Sequence, residues 1–192
     1  MQNESKIIVI DNNSLANFFN HYYFDRDHKN EVYKKLRDFI FDKIKSKEII
    51  VIDKVFDEFT VIKNQREIDS LRKFIRPFVI KTISLINEVQ TLRDKYYIPE
   101  NERHYRDRSG KVDYNLIDRV LDLYLKKHAD LYLVAYCKTN SDCILVTEES
   151  FKNDNKLIKK LPTICFNEKV GFTDLPDFLF KHYKDELNFK LN

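Results

Sequence analysis

The sequence predicts an α/β fold, a three-layer α/β/α sandwich around a central parallel sheet of four or five strands. Three observations carry that expectation. The runs KIIVI (6–10), EIIVI (48–52) and CILVT (143–147) are continuously apolar, as strands covered on both faces are. Between them, longer segments repeat apolar residues every three or four positions, the mark of amphipathic helices. Strands that alternate with such helices build a parallel sheet between helical layers.

In chain order, KIIVI is strand one and Ser14 to Asn20 a short helix, followed by the polar loop HYYFDRDHKN. Val32, Leu36, Phe39, Ile40 and Ile44 define a helix from Glu31 to Lys47. EIIVI is strand two, and Asp53 is placed to cap the helix KVFDEFTVIKN. From Arg66 to Tyr97 the pattern is helical again, with Pro77 set to kink or divide it. PENERHYRDRSGK (99–111) combines Pro, Gly and dense charge and reads as a loop. Helices over 113–127 and 130–138 precede strand three, CILVT; TICF (163–166) is read as strand four, and Leu175 to Leu187 as a closing helix. Residues 62–128 thus form a helical insertion, free to stand out as a lobe on one domain spanning 1–192.

Composition narrows the function. A length of 192 residues suits one core, and no apolar run approaches the roughly 20 residues needed to span a bilayer. The opening MQNESK lacks the layout of a secretion signal. Three cysteines without a CxxC pair read as free thiols in a reducing cytoplasm, the expected location. A net charge of +3 permits a nucleic-acid partner. Two glycines cannot build a P-loop or a dinucleotide-binding fingerprint, so any phosphate must be handled by cations or metals.

The acids suggest how. Ligand sites in parallel sheets form at the strand C-termini. Asp11 follows strand one, Glu148 and Glu149 follow strand three, Asp130 opens a helix, and Glu58 lies in the helix after strand two. Singly, each has a plain explanation: a turn or cap for Asp11 and Asp130, a solvated pair with Lys54 for Glu58, a surface position for Glu148 or Glu149. Jointly, four chain segments deliver carboxylates to one edge. Such a cluster repels itself unless a hard divalent cation joins it.

The motifs IDNNSL, VFDEF, ADLYLVAY and ILVTEESF, in this order, resemble those of PIN-domain nucleases, closest to bacterial stand-alone PIN-like proteins with a TEE motif. The resemblance runs from about Lys6 to Tyr183. It implies a metal-dependent endoribonuclease using Mg²⁺ or Mn²⁺, with Asp11, Glu58, Asp130 and Glu149 as catalytic residues. Asp11, Asp130 and Glu149 would hold metal, supported by Asn13, Thr147 and Glu148. Many family members carry aspartate where Glu149 stands, which leaves the role open to Glu148 or Asp154. Hydrolysis of this kind leaves 5′-phosphate and 3′-hydroxyl ends. RNA is the implied substrate; an antitoxin partner, as for VapC-type toxins, and a homodimer are further expectations.

Arg103, Arg106, Arg108 and Lys111 are candidates to bind nucleic acid, with His104 and Tyr105 able to stack on a base. Arg66, Arg72, Lys73, Arg76 and Lys81 form a second basic candidate. HYYFDRDH (21–28) fits no familiar zinc spacing. Two rival classes are a different phosphoryl-handling enzyme, for which Asn13 breaks the DxD pattern of the HAD-type phosphatases, and a PIN-like module that binds RNA or protein without cutting.

Overall fold

The computed structural model describes residues 7–19, 31–59, 65–140, 142–151 and 156–187. Its centre is a four-stranded sheet of β1 (Ile7–Ile10), β2 (Ile49–Ile50), β3 (Cys143–Val146) and β4 (Gly171–Thr173), ordered β2-β1-β3-β4. Every pairing is parallel: Ile8 faces Ile49, Ile10 faces Val146, and Val146 faces Thr173. Ile8, Val9, Ile10, Leu145 and Val146 are all buried, as the continuous apolar runs require of strands covered on both faces.

The flanking helices are α1 (Asn12–Phe18), α2 (Glu31–Lys45), α3 (Asp53–Glu58), α4 (Gln65–Ile75), α5 (Ile86–Tyr96), α6 (Tyr114–Lys127), α7 (Asp130–Thr139), α8 (Leu161–Glu168) and α9 (Leu175–Leu187). The expected three-layer α/β/α sandwich is what forms. α7 buries Leu131 through Ala135 without a break, so it is enclosed nearly all round. Phe19, just past α1, and Phe59, just past α3, meet edge to face with ring centroids 5.5 Å apart. That contact ties α1, which Asp11 caps, to α3, which carries Glu58.

Four details depart from the sequence expectation. TICF is not a strand: residues 163–166 lie within α8, and the fourth strand is Gly171–Thr173. Pro162 sits in the first turn of α8, where its fixed φ and missing N–H suit a helix start. β2 is confined to Ile49–Ile50; beyond it Ile52 makes a single parallel bridge to Ile80, which covers the sheet edge. Asp53 takes the first helical position of α3 behind the cap residue Ile52, and its Oδ1 accepts from the Thr82 hydroxyl at 2.6 Å. The PENERHYRDRSGK segment opens with a 3₁₀ helix, Pro99–His104, before it becomes a loop.

Pro77 does divide the stretch expected to be helical, since α4 ends at Ile75 and a 3₁₀ turn covers Arg76–Phe78. Part of the insertion between β2 and β3 packs into the core. Leu71, Ile75, Val89, Leu92 and Tyr96 join the same buried cluster as the strands. No helix among the described residues is long and apolar enough to cross a membrane.

Candidate functional site

From β1 the chain passes to β2 on one side, and later returns with β3 on the other side of β1. The ends of β1 and β3 therefore flank a topological switch point, where connections diverge and leave a crevice. The Asp11 N–H donates to the Val146 carbonyl at 3.0 Å, so the β1–β3 ladder extends one residue and delivers this carboxylate to the crevice. Asp11 Oδ1 accepts from the Ser14 N–H at 2.6 Å, capping α1. Its Oδ2 accepts from the Thr147 hydroxyl at 2.5 Å, across the crevice from the end of β3. Thr147 in turn accepts from the Glu149 N–H at 3.1 Å, which fixes the backbone of that second acid.

Asp130 is the first residue of α7, but its side chain is not the helix cap; the cap position is Ala129, without a side-chain bond. Asp130 Oδ2 instead accepts from the Tyr124 hydroxyl at 3.0 Å. Glu58, the last residue of α3, satisfies the start of α7: its Oε1 accepts from the Ala129 N–H at 2.9 Å and lies 3.4 Å from His128 Nδ1. The junction of α6 and α7 is thereby pinned to α3. The result is a cleft of about 710 Å³, lined by Asp11, Asn13, Glu58, Asp130 and Glu149. Asn12, Asp57, Lys126, Lys127 and Lys156 also line it.

Burial pushes Asp11 up to about 6, against the opposing bonds from Ser14 and Thr147. Asp130 and Glu149 are also raised, first by burial; the charge of Glu58 adds to the first and that of Asp130 to the second. His128 is raised chiefly by its bond to Glu58, a shift toward imidazolium at the cleft mouth. Carboxyls held above their ordinary values by burial and by each other form a site short of positive charge.

The structure brings Asp11, Asn13, Glu58, Asp130 and Glu149 into one cleft, with Thr147 buried beneath them. Glu148 goes elsewhere: its Oε1 accepts from the Leu175 N–H at 3.0 Å, at the start of α9. Asp154 lies outside the described residues, as does HYYFDRDH. Arg103, Arg106, Arg108 and Lys111 do not line the cleft. They belong to an exposed loop folded on itself, in which Arg106 donates to the carbonyls of Arg103 and Gly110 at 2.8 and 2.5 Å. In the second basic candidate, Arg72 donates to the carbonyls of Phe56 and Phe59 at 2.9 and 2.8 Å, a packing role.

Among the described residues the cleft's lysines are Lys126 and Lys127, which the sequence suggests only as an exposed helix end, and Lys156, which it does not single out. KKHAD, which places two lysines immediately before Asp130, was the available signal for the first pair. Asn12 was missed too; its Oδ1 is buried and accepts no protein hydrogen bond.

The donor set fits a hard divalent cation. Asp11, Asp130 and Glu149 offer only oxygens, and Glu149 Oε2 is buried without a protein donor. Among the described residues no three Asp, Glu, His or Cys side chains stand close enough to clasp an ion between them. Mg²⁺ does not ask for that: it keeps several waters and is commonly held by one or two carboxylates together with substrate phosphates.

No curated protein and no solved structure matches this chain. One family does, described as a domain of unknown function, DUF4411, whose match covers residues 8–184. That range takes in the sheet from its second residue on and every acid of the cleft, and the chain belongs to the DUF4411 family.

Proposed function

We propose that the protein is a PIN-like endoribonuclease that hydrolyses RNA phosphodiester bonds with Mg²⁺ or Mn²⁺. The observation that carries the reading is the meeting of Asp11, Asp130 and Glu149, from three separate elements, at the β1–β3 switch point, with the carboxyls raised and lysines beside them. Asp11, Asp130 and Glu149 would hold the cation, which when bound supplies charge neutralisation at the phosphodiester and acidity for the attacking water.

The chain's own residues do the rest. Lys126, Lys127 and Lys156 draw the phosphate backbone toward an otherwise negative cleft. The Tyr124 hydroxyl and the Thr147 hydroxyl fix Asp130 and Asp11 in orientation, as groups behind metal ligands do. Glu58 sets the start of α7 and therefore the place of Asp130.

A toxin role is compatible with this chemistry. An antitoxin would then have to reach a cleft open at the surface, and its natural contacts would be the lysines beside the acids.

The test is purified protein against single-stranded RNA and DNA in Mn²⁺, Mg²⁺ or EDTA. RNA should be cut to 5′-phosphate and 3′-hydroxyl ends with metal and left intact in EDTA, and Asp130→Asn should lower the rate by at least ~100-fold. Products ending in 2′,3′-cyclic phosphate would rule the scheme out.

A second reading, an RNA- or protein-binding module without cleavage, is favoured by one observation. Both Asp11 oxygens already accept hydrogen bonds from the chain itself. Binding that persists with no cleavage in either metal would select it.

A further inference from the structure

Beside the acidic cleft lies a second concavity of about 240 Å³, of opposite character. Its lining is apolar and aromatic: Leu121, Leu123 and Tyr124 from α6, Tyr105 from the preceding loop, and Leu157 and Ile158 from the far wall. Leu123 is 49% exposed, so folding leaves this large apolar side chain in water. Tyr124 forms the partition. Its ring faces the groove and lies 4.9 Å from the His128 ring, while its hydroxyl reaches through to Asp130. His128 and Lys156 line both concavities, so the two adjoin at these residues.

We propose that this groove is a nucleobase subsite, which seats one unstacked base of single-stranded RNA next to the phosphodiester held in the cleft. The proposal rests on the phosphodiesterase reading and deepens it. Three features argue for a base. The volume falls below the roughly 300–1,000 Å³ of sites that take whole small molecules, and suits a single planar ring system. Aromatic and apolar walls are what an unstacked base packs against, and every base has such a face. Lys156 stands at the junction, where a nucleotide whose base entered the groove would leave its phosphate.

A flat strand lying across both concavities would therefore be gripped by alternating chemistry: phosphate on the polar side, ring on the apolar side. Duplex RNA keeps its bases stacked and paired and cannot offer one. The subsite thus makes the protein selective for single strands or loops, with weak preference among bases, because its described lining is mostly apolar and aromatic.

The test walks a single abasic site, and separately a 2-aminopurine, along a short single-stranded RNA bound by the full chain in EDTA. Binding should weaken about 5- to 100-fold at one abasic position, the equivalent of one lost base stack, and 2-aminopurine at that position should change its emission on binding. Leu123→Asp, a surface change that leaves the fold intact, should bind intact and abasic strands equally, and Tyr105→Ala should shrink the same difference. A flat abasic scan with RNA that binds and is cleaved in Mn²⁺ overturns the subsite and leaves the nuclease standing. RNA neither bound nor cleaved overturns both. Equal weakening of intact and abasic strands by Leu123→Asp also counts against a base in the groove.

Discussion

Two buried carboxyls in this protein answer burial in opposite ways. Asp11 is 4% exposed and the Glu168 side chain 6%. Burial alone raises both. Asp11 ends at about 6, whereas Glu168 ends at about 2 because hydrogen bonds from Lys138, Lys95 and Tyr96 outweigh its burial. The Lys95 and Lys138 ammonium groups lie 2.6 and 2.7 Å from Glu168, which ties α5, α7 and α8 together. Asp11 has only neutral donors, with Asp130 as a charged neighbour that raises it further. Asp11 is the more deeply set of the two, but the opposite signs come from the company. Around Glu168 the chain supplies its own cations and the cluster is complete; around Asp11 the chain supplies neutral donors and a further acid.

The largest expected effect breaks the complete cluster. Glu168→Gln leaves two partly exposed ammonium groups facing a neutral amide and should destabilise the protein by up to about 3 kcal/mol at pH 7, read from urea unfolding. Its pH dependence is the sharper sign. The folded carboxyl titrates lower than the unfolded one, so its contribution is full above the ordinary value near 4.5 and is lost as pH falls toward 2. The variant should lack that acid slope. An unchanged slope would mean that the lysines do not hold Glu168.

The cleft should respond with the opposite sign. Folded Asp11 takes up its proton near pH 6 and the unfolded group only near 3.8, so between these values the folded state binds more protons. Ionising it therefore costs stability that is fully missing above pH 6 and recovered by about pH 4. Asp11→Asn retains a good helix cap and should stabilise the protein in EDTA by up to about 3 kcal/mol at pH 8, with no gain at pH 4. Mn²⁺ should close part of the gap by stabilising only the parent protein. A destabilised variant at pH 8 would show that the burial penalty on Asp11 is already met within the fold.

That contrast also explains what could be read from the sequence. Strands β1 and β3 were legible because a continuous apolar run of β-branched residues followed by an acid has few other uses. TICF was misread because a run of four residues, three of them apolar, carries no period, and the deciding signal was Pro162 just before them. Of Glu148 and Glu149, the second lines the cleft and the first turns toward α9; both lie past the end of β3, where strand alternation no longer tells them apart in the sequence. The lysines of the cleft were less accessible. Lys156 reaches it only through the path of the folded chain, and Lys126 and Lys127 have the exposure of an ordinary helix end. The Glu168 cluster lay in a helix mistaken for a strand, and its partners come from α5 and α7, far away in sequence.

The smallest effect sharpens the comparison most, since each site contains one tyrosine hydroxyl bonded to its acid. Tyr96 donates to Glu168 and Tyr124 to Asp130. Tyr96→Phe removes one donor from an acid that keeps two ammonium groups, so Glu168 should remain ionised across the ordinary pH range. Tyr124→Phe removes the Asp130 bond that opposes burial, so Asp130 should rise further. Each change should cost only about 1 kcal/mol in stability at pH 7. The two should part when the Mn²⁺-induced rise in melting temperature is followed against pH. A cation needs the carboxylate ionised, so the midpoint of that rise should move to higher pH in Tyr124→Phe and stay fixed in Tyr96→Phe. Equal midpoints in both variants would remove Asp130 from the set of groups that hold the cation.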